Sequence, residues 1–229
     1  MGKTTEDDVM TWLRSAADEE HRAGLARYGI PVGPALGVPM GDLKKAAKRF
    51  GPAHHIVSSL WETEVYEARV MAIHLADPSE FSRRDADRWS ADFDNWALCD
   101  TAAFHLFDRT SWAWDAVGDW SADPREFVRR AAFATLWGLS VHDKRASNEQ
   151  LLSIFPRAAS AAKDERLYVK KAVDMALRAV GKRNAVLNLA VCDIAQDFAS
   201  SENKTTQWIG RHVLKELESL RVRQKLGLI

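Results

Sequence analysis

Residues 168–184 read YVKKAVDMALRAVGKRN, and the spacing of their apolar positions decides the fold class. Val169, Ala172, Val173, Ala176, Leu177 and Val180 recur at steps of three and four, which puts them on one stripe of an α-helix, where a strand would alternate in twos. Lys171, Arg178 and Lys182 follow at steps of seven and four and share a second face. The same periodicity runs through almost the whole chain, as in Val65, Val70, Ile73 and Leu75. Breakers separate the segments: GIPVGPALGVPMG at 29–41, Gly51-Pro52, Asp77-Pro78, Asp123-Pro124 and ENKTT at 202–206. About a dozen helices and no strand are expected. Ser59 with Glu62 fits a capping box, and Asp94 is a candidate N-cap for the helix that follows it.

The stretch also has counterparts. VYEARVMAIHL at 65, FVRRAAFATLW at 127 and WIGRHVLKELE at 208 share with it an aromatic residue three positions before a cation. The cations are Arg69, Arg130, Lys171 and Arg211, separated by 61, 41 and 40 residues. Near the middle of the longest gap lies WALCDTAAFHL, which places Asp100 31 residues after Arg69 and 30 before Arg130. Such spacings are produced by helix-pair repeats stacked into a curved solenoid whose inner helices line a concave face. The expected fold is therefore all-α, one domain over 1–229, with an N-terminal helical segment and loop at 1–40 and repeats over 41–220. Five inner helices then offer Arg, Asp, Arg, Lys and Arg in a row.

Composition sets the limits of the reading. The 229 residues are 46% hydrophobic, enough for a core of ordinary size. No apolar run approaches the roughly 20 residues of a membrane span, and the acidic N-terminus lacks the apolar stretch of a signal peptide. Cys99 and Cys192 form neither a CxxC clip nor a disulfide framework. A cytoplasmic monomer is expected. The net charge of zero divides unevenly, since residues 1–119 hold 13 Lys+Arg against 20 Asp+Glu and residues 120–229 hold 19 against 12. A basic half beside an acidic one points to a polyanion bound on one surface.

Cations along a concave helical face suit the phosphates of a duplex, which they position without reading sequence. The candidates are Arg130, Lys170, Lys171, Arg178, Lys182, Arg183 and Arg211, with Lys44, Lys45, Lys48 and Arg49 as an N-terminal cluster. In that row Asp100 is anomalous, because a carboxylate facing phosphates is repelled and one left unpaired away from water is costly. It is expected to meet positive charge, on a neighbouring cation or on an oxocarbenium-like sugar. Trp96 stands one turn earlier on the same face and offers an indole surface that also favours cations. The seven histidines make no metal signature, and neither a P-loop, a Rossmann glycine pattern nor a GxSxG elbow occurs. Neither a metal nor a cofactor is expected.

Taken in order, LWETEVYEARVMAIHLADP, NWALCD, FVRRAAFATLW and VKKAVDMALRAVGKRN resemble the AlkD-type DNA alkylation repair proteins, glycosylases built of HEAT-like repeats, over roughly residues 40–220. The resemblance implies excision of N3- or N7-alkylated purines from double-stranded DNA, without a base-flipping pocket and with tolerance of bulky adducts. It implies Asp100 as the catalytic carboxylate, Trp96 as its paired aromatic and Arg130 as a backbone contact. It also implies association with the nucleoid when DNA is bound. Two positions depart from the family pattern: Met175 stands where a second tryptophan is usual and Tyr66 where a histidine is usual, both at the implied lesion cleft. Met packs but does not stack a cation as indole does.

Overall fold

The computed structural model describes residues 3–229, and among these every regular element is a helix. The chain divides into two compact units, Met1–Ser111 and Trp112–Ile229. Charge follows this division: the first unit holds 13 Lys+Arg against 18 Asp+Glu, the second 19 against 14.

The first unit comprises α1 (Glu6–Ser15), α2 (Glu19–Leu25), α3 (Met40–Phe50), α4 (Val57–Glu62), α5 (Tyr66–Leu75), α6 (Arg83–Ala91) and α7 (Trp96–His105). Its centre is α5, which touches α1, α3, α4 and α7. Eight of its ten residues are buried, as expected of a helix that is apolar nearly all round. Trp61 of α4 stacks on Trp89 of α6 with centroids 3.9 Å apart and planes within 3°, and its indole N–H donates to the Asp92 carboxylate at 2.9 Å. Two expected caps are corrected. A 3-10 turn at His54–Ile56 leads into α4 before Ser59 is reached, so the Ser59 hydroxyl donates back to the Ile56 carbonyl and caps nothing. At α7 the cap is Asn95, which accepts from the Leu98 N–H, and Asp94 accepts from the Asn95 amide instead.

The second unit comprises α8 (Ala113–Trp120), α9 (Glu126–His142), α10 (Asn148–Leu152), α11 (Phe155–Ala161), α12 (Leu167–Gly181), α13 (Ala185–Ala199), α14 (Lys204–Leu217) and α15 (Leu220–Lys225). Here α12 packs on α9, α13 and α14. Gly210 permits the close crossing of α14 over α13, since a Cβ there would lie 2.3 Å from the Ala199 nitrogen.

The repeat is visible in side-chain pairs. Trp61 meets Asp92 and His74 meets His105, each 31 residues apart. Along α12 and α14 the partners are 38 apart and step by four: Lys170 over the Trp208 ring, Asp174 with His212, and Arg178 with Glu216. That ladder places α12 and α14 side by side and parallel, and the five marked segments are α5, α7, α9, α12 and α14. The register of the marked cations shifts by one, however. Arg69 and Arg129 are each the fourth residue of their helix, and each guanidinium Nε donates to a carbonyl that precedes that helix, Trp61 O in the last turn of α4 at 3.2 Å and Asp123 O in the turn after α8 at 2.9 Å. The structural counterpart of Arg69 is therefore Arg129, not Arg130.

Arg129 also binds Asp164, at 2.8 Å, and Arg166 binds the same carboxylate at 2.6 Å while donating to the Pro124 carbonyl. The turn before α9 is thereby tied to the turn before α12 by a carboxylate only 7% exposed. Hydrogen bonding from Arg166 holds the Asp164 carboxyl below the usual carboxylate range, against the opposing effect of burial. Its stabilisation is thus fully present above the unfolded carboxyl pKa of about 4 and lost as pH falls through the lower folded value. Asp164→Asn is expected to lower unfolding stability by about 2 kcal/mol at neutral pH. In urea titrations the gap from wild type should close in acid; equal midpoints at pH 7 would show that the clamp contributes nothing.

Candidate functional site

In the first unit α7 carries the carboxylate that the sequence singles out. Leu98, Cys99, Ala102 and Ala103 turn inward and are buried, so packing fixes the rotation of the helix. Trp96 and Asp100 are left half-buried, one turn apart on the same side. The Trp96 indole N–H donates to the Tyr28 carbonyl at 2.6 Å, which fixes the ring at the start of the long loop at 29–41. Beside it on α5, Glu67 is 1% exposed and accepts from the backbone N–H groups of Leu36 and Gly37, at 2.8 and 2.6 Å. Gly37 has φ +82°, and a Cβ there would lie 2.0 Å from the Asp18 carbonyl oxygen, so this seam accepts only glycine. Sequence reasoning missed Glu67. The available signal was an acid between Tyr66 and Ala68 on a helix whose residues are mostly apolar.

Tyr66 is only 8% exposed. Burial, reinforced by the charge of Glu67, pushes its hydroxyl up to about 12. Its ring belongs to the packing around α5, which corrects the expectation that it lines an open cleft. Lys44 and Lys45 are exposed on α3, where Lys45 pairs with Asp42 at 3.0 Å.

In the second unit the expected row of cations separates into three groups. Arg130, on α9, is 4% exposed and donates to the Tyr168 carbonyl at 2.9 Å, with its guanidinium 5.9 Å from that ring. It acts here on the N-terminal turn of α12. Arg178 and Lys182 both bind Glu216, and Arg178 also binds Asp174 at 2.9 Å. Burial opposes the charge of Arg178, but the hydrogen bond to Glu216 and the charge of Asp174 outweigh it and raise its pKa. Arg183 donates to the carbonyls of Ser140, Asp143 and Ala146, closing the end of α12 onto the turn after α9. The third group faces solvent. Lys171 and Arg211 are exposed and, among the described residues, take part in no ion pair, and Lys170 lies 4.6 Å from the exposed Trp208 ring. Met175 is half-buried on α12, one residue from the buried Asp174.

The same unit holds a cleft of about 960 Å³ that sequence reasoning did not anticipate. Lys144, Lys215, Arg221 and Lys225 line it beside Lys182 and Arg183, with Glu216 the only carboxylate among the described residues that line it. These cations sit on α14, α15 and the turn after α9, and nothing in their spacing reveals that they converge. Among the described residues no group of three or more His, Cys, Asp or Glu side chains could hold a metal ion.

Comparison with known proteins accords with this geometry. A family model described as DNA alkylation repair enzyme matches residues 9–207. A solved structure described as one of a new family of proteins related to the HEAT-like repeat DNA glycosylases, with affinity for branched DNA structures, superposes with a TM-score of 0.78 over 98% of this chain and 97% of its own, at 23% sequence identity. At that identity the likeness speaks for the fold. None of the curated proteins compared with the chain matches it.

Proposed function

The chain belongs to the DNA alkylation repair enzyme family, and from that premise we propose that it is a monofunctional glycosylase that hydrolyses the N-glycosidic bond of N3- or N7-alkylated purines in double-stranded DNA. The observation that carries the reading is on α7: a half-exposed carboxylate, Asp100, one turn from a half-exposed indole whose N–H is already committed to the Tyr28 carbonyl. An alkylated purine is cationic, so it leaves as a neutral base and needs little help from an acid. What the reaction requires is stabilisation of the positive charge that develops on the deoxyribose as the bond to C1′ lengthens. The Asp100 carboxylate supplies that and takes the proton of the water that attacks C1′, while Trp96 supplies a π face. The reaction needs no metal or cofactor.

Lys171, Arg211 and Lys170 carry the duplex backbone, Arg130 positions the first turn of α12 beneath them, and Arg178, Lys182 and Arg183 set the shape of the same helix. Phosphate contacts of this kind are sequence-independent. The protein acts as a monomer wherever its DNA lies. A second reading, a protein that binds distorted or branched duplex without cutting the bond, is favoured by one feature: Met175 offers no aromatic face where the family pattern has tryptophan.

Incubation with duplex carrying N7-methylguanine or N3-methyladenine separates the two. Wild type is expected to release the free base, and Asp100→Asn to release it at least about 10²-fold more slowly, the scale of losing one electrostatic stabiliser. Binding without release by wild type would leave the second reading. For the backbone contacts, Lys171→Ala and Arg211→Ala should each weaken duplex binding on every sequence and reduce the slope of log affinity against log salt by about one. An unaltered slope in both would remove them from the interface.

A further inference from the structure

The first unit has a second cleft, away from the face of α7 that bears Asp100. Its volume is about 410 Å³, and it is lined by Lys44, Ala47 and Lys48 of α3, the turn at Gly51 and Pro52, His74 of α5 and His105 of α7. On α7, His105 lies five residues beyond Asp100, about 140° round the helix, so the two face different surroundings. Lys44 and Lys48 are four residues apart, on one face of α3, and both are exposed, with no ion pair among the described residues. Among the described residues no carboxylate lines the cleft.

Its floor is chemically incomplete. The His74 and His105 rings lie 4.8 Å apart, and Nε2 of His74 is buried with no hydrogen-bond partner. The neighbouring histidines are satisfied: His54 Nδ1 accepts from the Asp77 N–H at 3.2 Å, and His55 Nε2 meets the Thr4 carbonyl at 3.0 Å. A buried polar atom without a partner is uncommon and calls for an explanation such as a missing ligand. Burial, the adjoining His105 and the charges of Lys44 and Arg109 lower His74 to about 4, so the surroundings there are net positive. The carbonyl ends of α5 and α7 oppose this with only about half a charge each, less than the cations together.

We propose that this cleft binds a phosphate monoester, with Lys44 and Lys48 pairing its oxygens at the mouth and the two imidazoles forming its base. The phosphate comes either from the end of a nucleic-acid strand or from a free nucleotide. A strand end would give the protein a grip on nicked or branched DNA separate from the α7 site, and the site stands or falls independently of base excision.

The test follows the ring resonances of His74 and His105 by NMR at pH 6.5 in the intact chain, titrated with inorganic phosphate. Wild type should show saturable shifts of both rings, with binding weakened at least about tenfold in the Lys44→Gln, Lys48→Gln double variant. Both lysines are exposed, so that variant keeps the wild-type thermal unfolding. Comparison of a 5′-phosphorylated trinucleotide, its 5′-hydroxyl counterpart and a mononucleotide assigns the source. Tighter binding of the phosphorylated strand than of the other two identifies a strand end, and tightest binding of the mononucleotide identifies a free nucleotide. Absence of a saturable shift with phosphate in wild type, an equal shift in the double variant, or binding of both the phosphorylated strand and the mononucleotide no tighter than that of the hydroxyl strand would each overturn the proposal.

Discussion

Asp164 is shared by two guanidiniums, and what the second unit presents to solvent depends on that sharing. Arg129 reaches it from α9 and Arg166 from the turn before α12, and each also holds a backbone carbonyl of the turn between α8 and α9. Two helix pairs are thus fixed relative to each other by hydrogen bonds to backbone, which fix distance and rotation more closely than apolar packing does. With α12 so placed, its inward residues fall against α9, α13 and α14, and the ladder to Trp208, His212 and Glu216 closes on the adjoining face. Among the described residues Lys171 then pairs with no carboxylate. Its exposure, on which the proposed phosphate contact rests, goes with the satisfaction of its neighbours.

The first unit uses the same device with different parts. Arg69 holds the Trp61 carbonyl, Trp61 holds Asp92, and Glu67 and Trp96 fix the long loop from two sides. Trp96 therefore has two roles. Its N–H orders the loop and its ring is one turn from Asp100, so a change at Trp96 would disturb the structure together with the proposed chemistry, whereas Asp100→Asn is the cleaner probe of that proposal.

Much of the fold was legible in the sequence because helical periodicity and breakers report local physics, and because helices stacked in series repeat their spacing. The segments marked by an aromatic and a cation all became helices, and within the second unit α12 packs on both α9 and α14. What the sequence concealed were the partners. Arg130 and Lys171 look alike in the alignment of segments, yet one is buried on the Tyr168 carbonyl and the other is open to solvent. The difference lies in which carbonyl the next helix brings near, a contact 38 residues away. Arg178 and Lys182 keep the shared face that their spacing predicted, but Glu216, also 38 and 34 residues off, neutralises much of it. The capping of α4 was misread because a 3-10 turn before it offered Ser59 a carbonyl, and the cationic cleft near α15 was invisible because its residues come from three separate segments.

The account turns on a carboxylate that stabilises positive charge on a sugar. Its most direct test is equilibrium affinity for duplex in which one nucleoside is replaced by a cationic pyrrolidine, a mimic of the oxocarbenium-like transition state, against the same duplex carrying an uncharged tetrahydrofuran. A site complementary to the transition state should prefer the cationic mimic by at least about 10²-fold, and Asp100→Asn should abolish the preference while leaving affinity for the neutral duplex unchanged. Equal affinities in wild type, or a preference that survives in Asp100→Asn, would contradict it.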